Sequence, residues 1–361
     1  MSSKIIFIRK RAKLIIRNDI KDLTKNELVI WLQDNGIQSF RAGQIFKWIY
    51  LRQADTFDIM TDIGKTTREL LFSHFTIERL SIMKTEQSAD GSKKYLFQLQ
   101  DGNHIETVLI PEKNHQTLCI STQVGCAQNC KFCLTAKGGF VRNLTAGEIL
   151  AQVRDVKNTL DHPEQLKNIV LMGMGEPLAN YDNVIKALDT MRDADHGLKI
   201  SARKITISTA GLIHQFSALG RDTDVNLAIS LNASDNKTRS MLMPINRKYP
   251  IEHLIEACRK YPLAPREKIT FEYILIQGVN DSPADADRLI KLLRSVKSKI
   301  NLIPFNEHPE SELKRPDNQV INDFLQKLHD AGYTAIIRHS KGQDISAACG
   351  QLRANQIRKQ E

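Results

Sequence analysis

Cys126, Cys130 and Cys133 fall in Gly125-Cys-Ala-Gln-Asn-Cys-Lys-Phe-Cys133, a C-x3-C-x2-C spacing that gathers three thiols onto one short loop. A chain with this loop must build its fold around the loop, because no fourth ligand is spelled nearby. Thiolates hold iron–sulfur clusters, usually four at a time. A 4Fe-4S cluster held by three keeps one iron open to a small molecule. Structural zinc takes four closed ligands, usually with paired C-x2-C spacing. The spacing therefore favours a cluster over a zinc knuckle lacking a ligand, or over three buried cysteines clustered by chance. Phe132, just before the third cysteine, is expected to shield the metal site.

The chain has six cysteines in 361 residues and no repeated disulfide spacing. That usage fits a reducing, cytoplasmic compartment in which thiolates stay available to metal. The N-terminus is basic (Lys4, Arg9, Lys10, Arg11, Lys13, Arg17), but its apolar runs are too short for a signal peptide. No apolar stretch approaches the roughly 18 residues that read as a membrane span, so no membrane partner is expected. With 41% hydrophobic residues, the length supports one large domain plus a small one. The net charge of +10 favours polyanionic partners, with a merely soluble basic protein as the alternative.

Past a basic leader at 1–20, apolar residues recur near every 3.6 positions in Leu23-Thr-Lys-Asn-Glu-Leu-Val-Ile-Trp-Leu32 and again over 41–50 and 66–75. Residues 21–80 are read as a small helical docking domain. Residues 81–113 are read as a β connector. Within it, Lys94-Tyr-Leu-Phe-Gln-Leu99 and His104-Ile-Glu-Thr-Val-Leu-Ile110 flank Asp101-Gly102 as a hairpin. From about 116 the pattern changes to apolar, β-branched strands at 117–122, 168–173, 204–209, 225–231, 268–276 and 299–305, with helical segments between most of them. Alternation of this kind means parallel strands with right-handed crossovers. The fold class expected is α/β, a partial (β/α)6 barrel over 114–345, followed by a C-terminal segment at 346–361. In such barrels the chemistry gathers at the carboxyl ends of the strands, where the cysteine loop falls after the first.

The other strand ends carry small and polar groups. Met172-Gly-Met-Gly-Glu-Pro177 follows the second strand; Gly175 allows close backbone approach, and the Glu176 carboxylate can meet an ammonium. Ser208 ends the third strand, Ser230-Leu231-Asn232 the fourth and Asn306 the sixth. Singly they are ordinary strand caps; together they surround one cavity.

The cysteine loop and the Gly175-Glu176 turn resemble the signatures of radical S-adenosylmethionine (SAM) enzymes. Two further cysteines narrow the likeness. Cys119 precedes Cys126 on the first strand, and Cys349 lies in Lys341-Gly-Gln-Asp-Ile-Ser-Ala-Ala-Cys-Gly-Gln-Leu352. Cys258, in an ordinary helical stretch, carries no such signal. With Glu106-Thr-Val-Leu-Ile-Pro111, Thr117-Leu-Cys-Ile-Ser121, Phe140-Val-Arg-Asn-Leu144, Leu227-Ala-Ile-Ser-Leu231 and Pro244-Ile-Asn-Arg-Lys-Tyr249, the chain is similar to the RlmN/Cfr family of RNA adenosine methyltransferases over about 21–352.

The resemblance implies a 4Fe-4S cluster on Cys126, Cys130 and Cys133, and SAM, two molecules per turnover, held by Gly175, Glu176, Ser208, Ser230, Leu231, Asn232 and Asn306. By the same likeness one SAM methylates Cys349. A second is cleaved to a radical that takes hydrogen from the S-methyl group, and the carbon so formed adds to adenine. Cys119 resolves the adduct, leaving a Cys119–Cys349 disulfide, and Glu106 accepts the proton. The physical need is plain: C2 of adenine is not nucleophilic, so a polar attack on SAM is no route. The implied substrates are adenosines of 23S rRNA and of tRNA beside the anticodon, methylated at C2, with reduction by a flavodoxin or ferredoxin. Cfr-type methylation at C8 stays open, as does a zinc-stabilised RNA-binding protein without catalysis. Asn232 stands where the family often has histidine; it keeps a polar contact but cannot titrate.

Overall fold

The computed structural model describes residues 17–308 and 310–354; most of the expected basic leader, Lys4 to Lys13, lies outside them. Residues 18–76 form a helical unit. The strand β1 (Asn18–Asp19) is followed by α1 (Lys25–Asp34), α2 (Arg41–Phe46) and α3 (Lys65–His74), and β2 (Phe75–Thr76) returns to pair with β1 in parallel. Thr24 and Glu27 close a capping box at the start of α1, which supplies partners for two backbone N–H groups that a helix start leaves open. Ile20, Leu28, Leu32, Ile45, Ile49, Met60 and Leu71 bury the apolar stripe that the sequence period predicts.

The rest of the chain is organised by one ten-stranded sheet. A meander of β3 (Ser81–Gln87), β4 (Lys93–Gln98) and β5 (His104–Pro111) leads into β6 (Gln116–Cys119). The two-stranded hairpin expected here has gained β3. Because Val108 of β5 pairs with Cys119 of β6, the meander is continuous with the barrel sheet. Between β7 (Gln123–Gly125) and β8 (Phe140–Asn143), which pair antiparallel outside that sheet, lie the cysteine loop and α4 (Leu134–Lys137). The barrel then alternates α5 (Ala146–Asn158), β9 (Leu166–Leu171), α6 (Tyr181–Arg192), β10 (Ile205–Thr209), α7 (Phe216–Asp222), β11 (Asn226–Ser230), α8 (Asn236–Leu242), α9 (Ile251–Lys260), β12 (Ile269–Leu275), α10 (Pro283–Leu293), β13 (Ser298–Pro304), α11 (Asn318–Asp330) and β14 (Ala335–Ile337).

The parallel run β6-β9-β10-β11-β12-β13-β14 contains the six expected strands and a short seventh, β14. β14 and β3 stand at opposite ends of the sheet order, so the barrel is partial, as expected. The first strand leaves the ladder earlier than the apolar run suggested. After Cys119 the chain keeps single bonds, Ile120 N–H to Val170 O and Thr122 N–H to Met174 O, and turns into the β7–β8 clasp.

The helical unit is fixed to the barrel through α5. Arg154 is fully buried, donating to the Ile49 and Ala54 carbonyls and to Asp55. Asp155 receives Arg79 and the Leu80 N–H, and the Gly147 N–H donates to Asp22. An arginine with this many carbonyl and carboxylate partners is satisfied despite burial.

Candidate active site

The β7–β8 clasp brings the two arms of the cysteine loop together, with Cys126 N–H bonded to Gly139 O at 2.8 Å. Gly125 sits at φ +73°, and a Cβ there would lie 1.9 Å from Gly139 O, so only glycine permits the crossing. On one flank Lys131 N–H donates to Leu242 O. Cys126 is buried, while Cys130 and Cys133 are partly exposed. Phe132 is buried among Leu242, Met243 and Phe305 and forms part of the cavity wall beside the cysteines.

Burial pushes the Cys126 thiol up to about 12 and raises Cys130 as well. Such thiols stay neutral unless a cationic centre binds them, and metal coordination deprotonates them outright. Three thiols are one fewer than the four ligands of a closed structural zinc site, and they suit a cluster that keeps one iron open.

Above the loop lies one cavity, walled by Cys126, Cys130, Cys133, Gly175, Glu176, Ser208, Ser230, Asn232, Glu272 and Cys349. The strand-end residues picked out in sequence thus converge, with four exceptions. Glu106, Cys119, Leu231 and Asn306 are not on this wall. A larger cleft of about 830 Å³ opens at the opposite, amino-terminal end of the strands, between Lys199, Asn226 and Lys268; it holds no cysteine.

Each wall residue has a local reason for its place. Gly175, at φ +107°, passes so close to Gln123 that a Cβ would sit 2.6 Å from that side chain. Glu176 is buried and accepts the Leu178 N–H at 3.1 Å and the Ala210 N–H at 2.7 Å, which ties the ends of β9 and β10 together. Burial outweighs those bonds and raises its pKa. Ser208 Oγ donates to Glu272 Oε2 at 3.0 Å and lies 3.5 Å from Ser230 Oγ. Asn232 has φ +58°, a left-handed conformation that asparagine tolerates, and its Oδ1 accepts the Ile274 N–H at 2.9 Å. Leu231 is fully buried, with its carbonyl held by Arg239 Nε.

Sequence reasoning missed Glu272 and Arg338. Glu272 is buried, and its Oε1 has no hydrogen-bond partner; the Arg338 guanidinium stands 3.8 Å from it. Burial raises its pKa, and Arg338 opposes that rise. A buried acceptor without a partner on a cavity wall calls for a ligand donor, which the amino, hydroxyl and N–H groups of SAM supply. The signal was legible: one carboxylate inside the apolar strand Ile269-Thr-Phe-Glu-Tyr-Ile-Leu275.

The segment carrying Cys349 is strapped over this cavity. Gly350 O accepts the Leu134 N–H at 2.7 Å, and Leu352 O accepts Thr135 Oγ1 at 2.6 Å, so the strap rests on the cysteine loop itself. Asn306 donates to Cys349 O at 3.1 Å, and the Arg353 N–H donates to Glu106 Oε2 at 2.7 Å. Glu106 is buried beside Lys94, 3.2 Å away; burial raises its carboxyl pKa against that cation. Cys349 is accessible through the cavity, yet surrounding protein raises its thiol pKa.

Cys119 is buried, and burial, with the Cys349 sulfur nearby, pushes its thiol to about 12. All six cysteines are free. The disulfide implied for Cys119 and Cys349 is therefore not a bond of this structure. Cys119 belongs to the β6 ladder, while Cys349 is held on the strap by Asn306; each thiol is fixed by a different element, and neither is a thiolate ready for exchange.

Fold and site together are those of a radical SAM methyltransferase. A Radical SAM superfamily model matches residues 120–292, and a model of the ribosomal RNA large subunit methyltransferase N-terminal domain matches 18–77. The crystal structure of a radical SAM methyltransferase from Sphaerobacter thermophilus superposes with a TM-score of 0.87 and 44% identity, over 93% of this chain and 99% of that one. The dual-specificity RNA methyltransferase RlmN of Desulfosudis oleivorans is 61% identical over 337 residues, 93% of this chain and 91% of that protein. Its counterpart in Geobacter sulfurreducens is 52% identical over 93% of this chain and 92% of that protein. The chain belongs to the RlmN family of radical SAM RNA methyltransferases, and its cofactors are a 4Fe-4S cluster and SAM.

Proposed function

We propose that this enzyme methylates C2 of an adenosine in 23S rRNA and in tRNA, with Cys349 as the methyl carrier. One observation carries the reading: the strap puts Cys349 on the wall of the same cavity as the three cluster cysteines, bonded to their loop at Leu134 and Thr135. Cys126, Cys130 and Cys133 would hold the cluster, and Gly175, Glu176, Ser208, Ser230 and Asn232 would line the SAM pocket. Leu231 acts through its backbone, and Asn306 by positioning Cys349. Bound there, cluster and SAM supply the one-electron chemistry that an unreactive aromatic carbon requires.

The chain's own groups do the rest. Cys349 would lose its proton and bond the methyl carbon as the carbon–sulfonium bond of SAM breaks, a nucleophilic step. The thioether so formed would then present that carbon to a base that has left its stack, as unpaired bases do for RNA enzymes. Cys119, on whose thiol the nearby Cys349 sulfur acts, would release the protein–RNA adduct. Glu106, its pKa raised by burial, takes a proton near the strap. Reduction by a flavodoxin or ferredoxin and a cytoplasmic location complete the reading; among the described residues no helix is long and apolar enough to cross a membrane. Anaerobic turnover on a tRNA transcript and a 23S rRNA fragment, read by nucleoside mass spectrometry, should give 2-methyladenosine. An 8-methyladenosine product would replace this reading by the C8 one.

A further inference from the structure

The cysteine loop has two flanks, and only one carries the Cys349 strap. Leu134 and Thr135 carry the Cys349 strap. Lys131, on the other flank, is bonded to the end of α8, and Cys130 and Cys133 pack against Leu242 and Met243. Helix α8 and the turn Pro244–Arg247 are thus a thin protein layer directly behind the cysteines. Lys237, Met241 and Arg247 of this layer are exposed, as are Lys248 just after it and Lys131 on the loop bonded to it. Met241 is 51% exposed, one helical turn from Lys237 on the same face.

The two chain segments that carry these residues contain no acid. No Asp or Glu occurs between Glu112 and Glu148 or between Asp235 and Glu252. The two bordering carboxylates face other partners, Asp235 toward Arg288 and Glu252 toward Asn236. The patch is therefore a small positive field around one exposed thioether. Redox encounters use small interfaces, complementary charge raises their association rate, and methionine is an adaptable apolar contact. A long phosphate track would have little use for an exposed methionine at its centre, and RNA must reach the strap flank to meet Cys349.

We propose that the surface formed by Lys131, Lys237, Met241, Arg247 and Lys248 docks the reductant, a small acidic flavin or iron–sulfur protein. The proposal rests on the radical SAM reading. One electron leaves the donor, which is oxidised by one, and enters the cluster, which is reduced by one; no bond is made or broken at this contact.

The test compares wild type with Lys237→Glu/Arg247→Glu and, separately, Met241→Glu. Binding of oxidised flavodoxin is measured at low salt by surface plasmon resonance. SAM cleavage is then driven either by reduced flavodoxin or by dithionite. Both variants should lose about tenfold in flavodoxin affinity and in flavodoxin-driven rate. Dithionite-driven cleavage, iron content and RNA affinity should stay within about twofold of wild type. Unchanged flavodoxin binding in both variants would overturn the proposal. A parallel loss of RNA affinity would do the same and reassign the patch to RNA. If the function reading itself failed, dithionite-driven RNA methylation would be missing from wild type, and the flavodoxin binding measurement would still decide the surface.

Discussion

Cys349 and Cys119 differ from the cluster cysteines by where the fold puts them, and substitution should separate the two sets. Replacing Cys126, Cys130 or Cys133 by alanine should remove bound iron and sulfide and all turnover, because the loop offers three thiols and no substitute ligand. A variant retaining full iron and activity would falsify the cluster assignment. Cys349→Ala should keep the cluster yet never acquire a methyl group, as intact-protein mass spectrometry would show. Cys119→Ala should still methylate Cys349 and attack RNA, then accumulate protein covalently joined to nucleic acid on a denaturing gel; normal turnover without that adduct contradicts its resolving role. These residues were legible because their chemistry is written in spacing and motif. Glu272 and Arg338 were harder to read: a single acid in an apolar strand is visible in sequence, but that its Oε1 lacks a partner and that Arg338 stands opposite are facts of packing.

At the scale of elements, the clasp and the strap decide whether the loop is usable. Gly125→Ala drives a Cβ into Gly139 O; at a positive φ this should cost about 2 kcal/mol or more and lower iron content together with thermal stability. The strap is clipped to the β3–β4 turn by Asp90, which accepts the Gly342 N–H at 2.7 Å. Partial burial acts to raise the Asp90 pKa, but N–H bonds from Ser92 and Gly342 win and lower it from 3.8 to about 2. A depressed carboxyl contributes its stabilisation above its unfolded value and loses it as pH falls toward the folded one. Hydrogen exchange of residues 340–346 should therefore quicken between about pH 4 and pH 2, and Asp90→Asn should show no such step. Six barrel strands and the hairpin were readable from alternation and β-branching. The clasp strands β7 and β8 and the seventh strand β14, each three or four residues long, were not. Runs that short carry no period, and only their ladder partners make them strands.

Across the whole molecule, the helical unit and the barrel are joined by a buried arginine. Arg154→Met should leave the Ile49 and Ala54 carbonyls without their donor, costing about 2–4 kcal/mol, seen as a lowered Tm and earlier proteolytic release of residues 18–76. Unchanged protease resistance would mean that apolar packing alone joins the two parts. Removing residues 1–18 should weaken RNA binding and flatten its salt dependence while RNA-independent methylation of Cys349 proceeds unchanged. An identical salt slope would make that basic stretch a bystander. Domain order was legible from changes in period along the chain. The way the parts attach was not, since Arg154 reads in sequence as one more polar position on an amphipathic helix.

The sheet order ends at β14 on one side and at β3 on the other, and the chain after β14 reaches back to the far side. Asp344 is bonded to Ser88, Gly342 to Asp90, and Lys341 to Pro111. The ring is closed by a tail, not by hydrogen-bonded strands. Because synthesis proceeds from the amino terminus, the cysteine loop and the strands β6 to β14 are made before this closure can form. Metal delivery therefore has a window in time, during which the cysteine loop exists and the cover over it does not. A nascent chain arrested before residue 339 should take up iron faster than the released protein does, and residues 340–352 would then act as a seal on a finished centre.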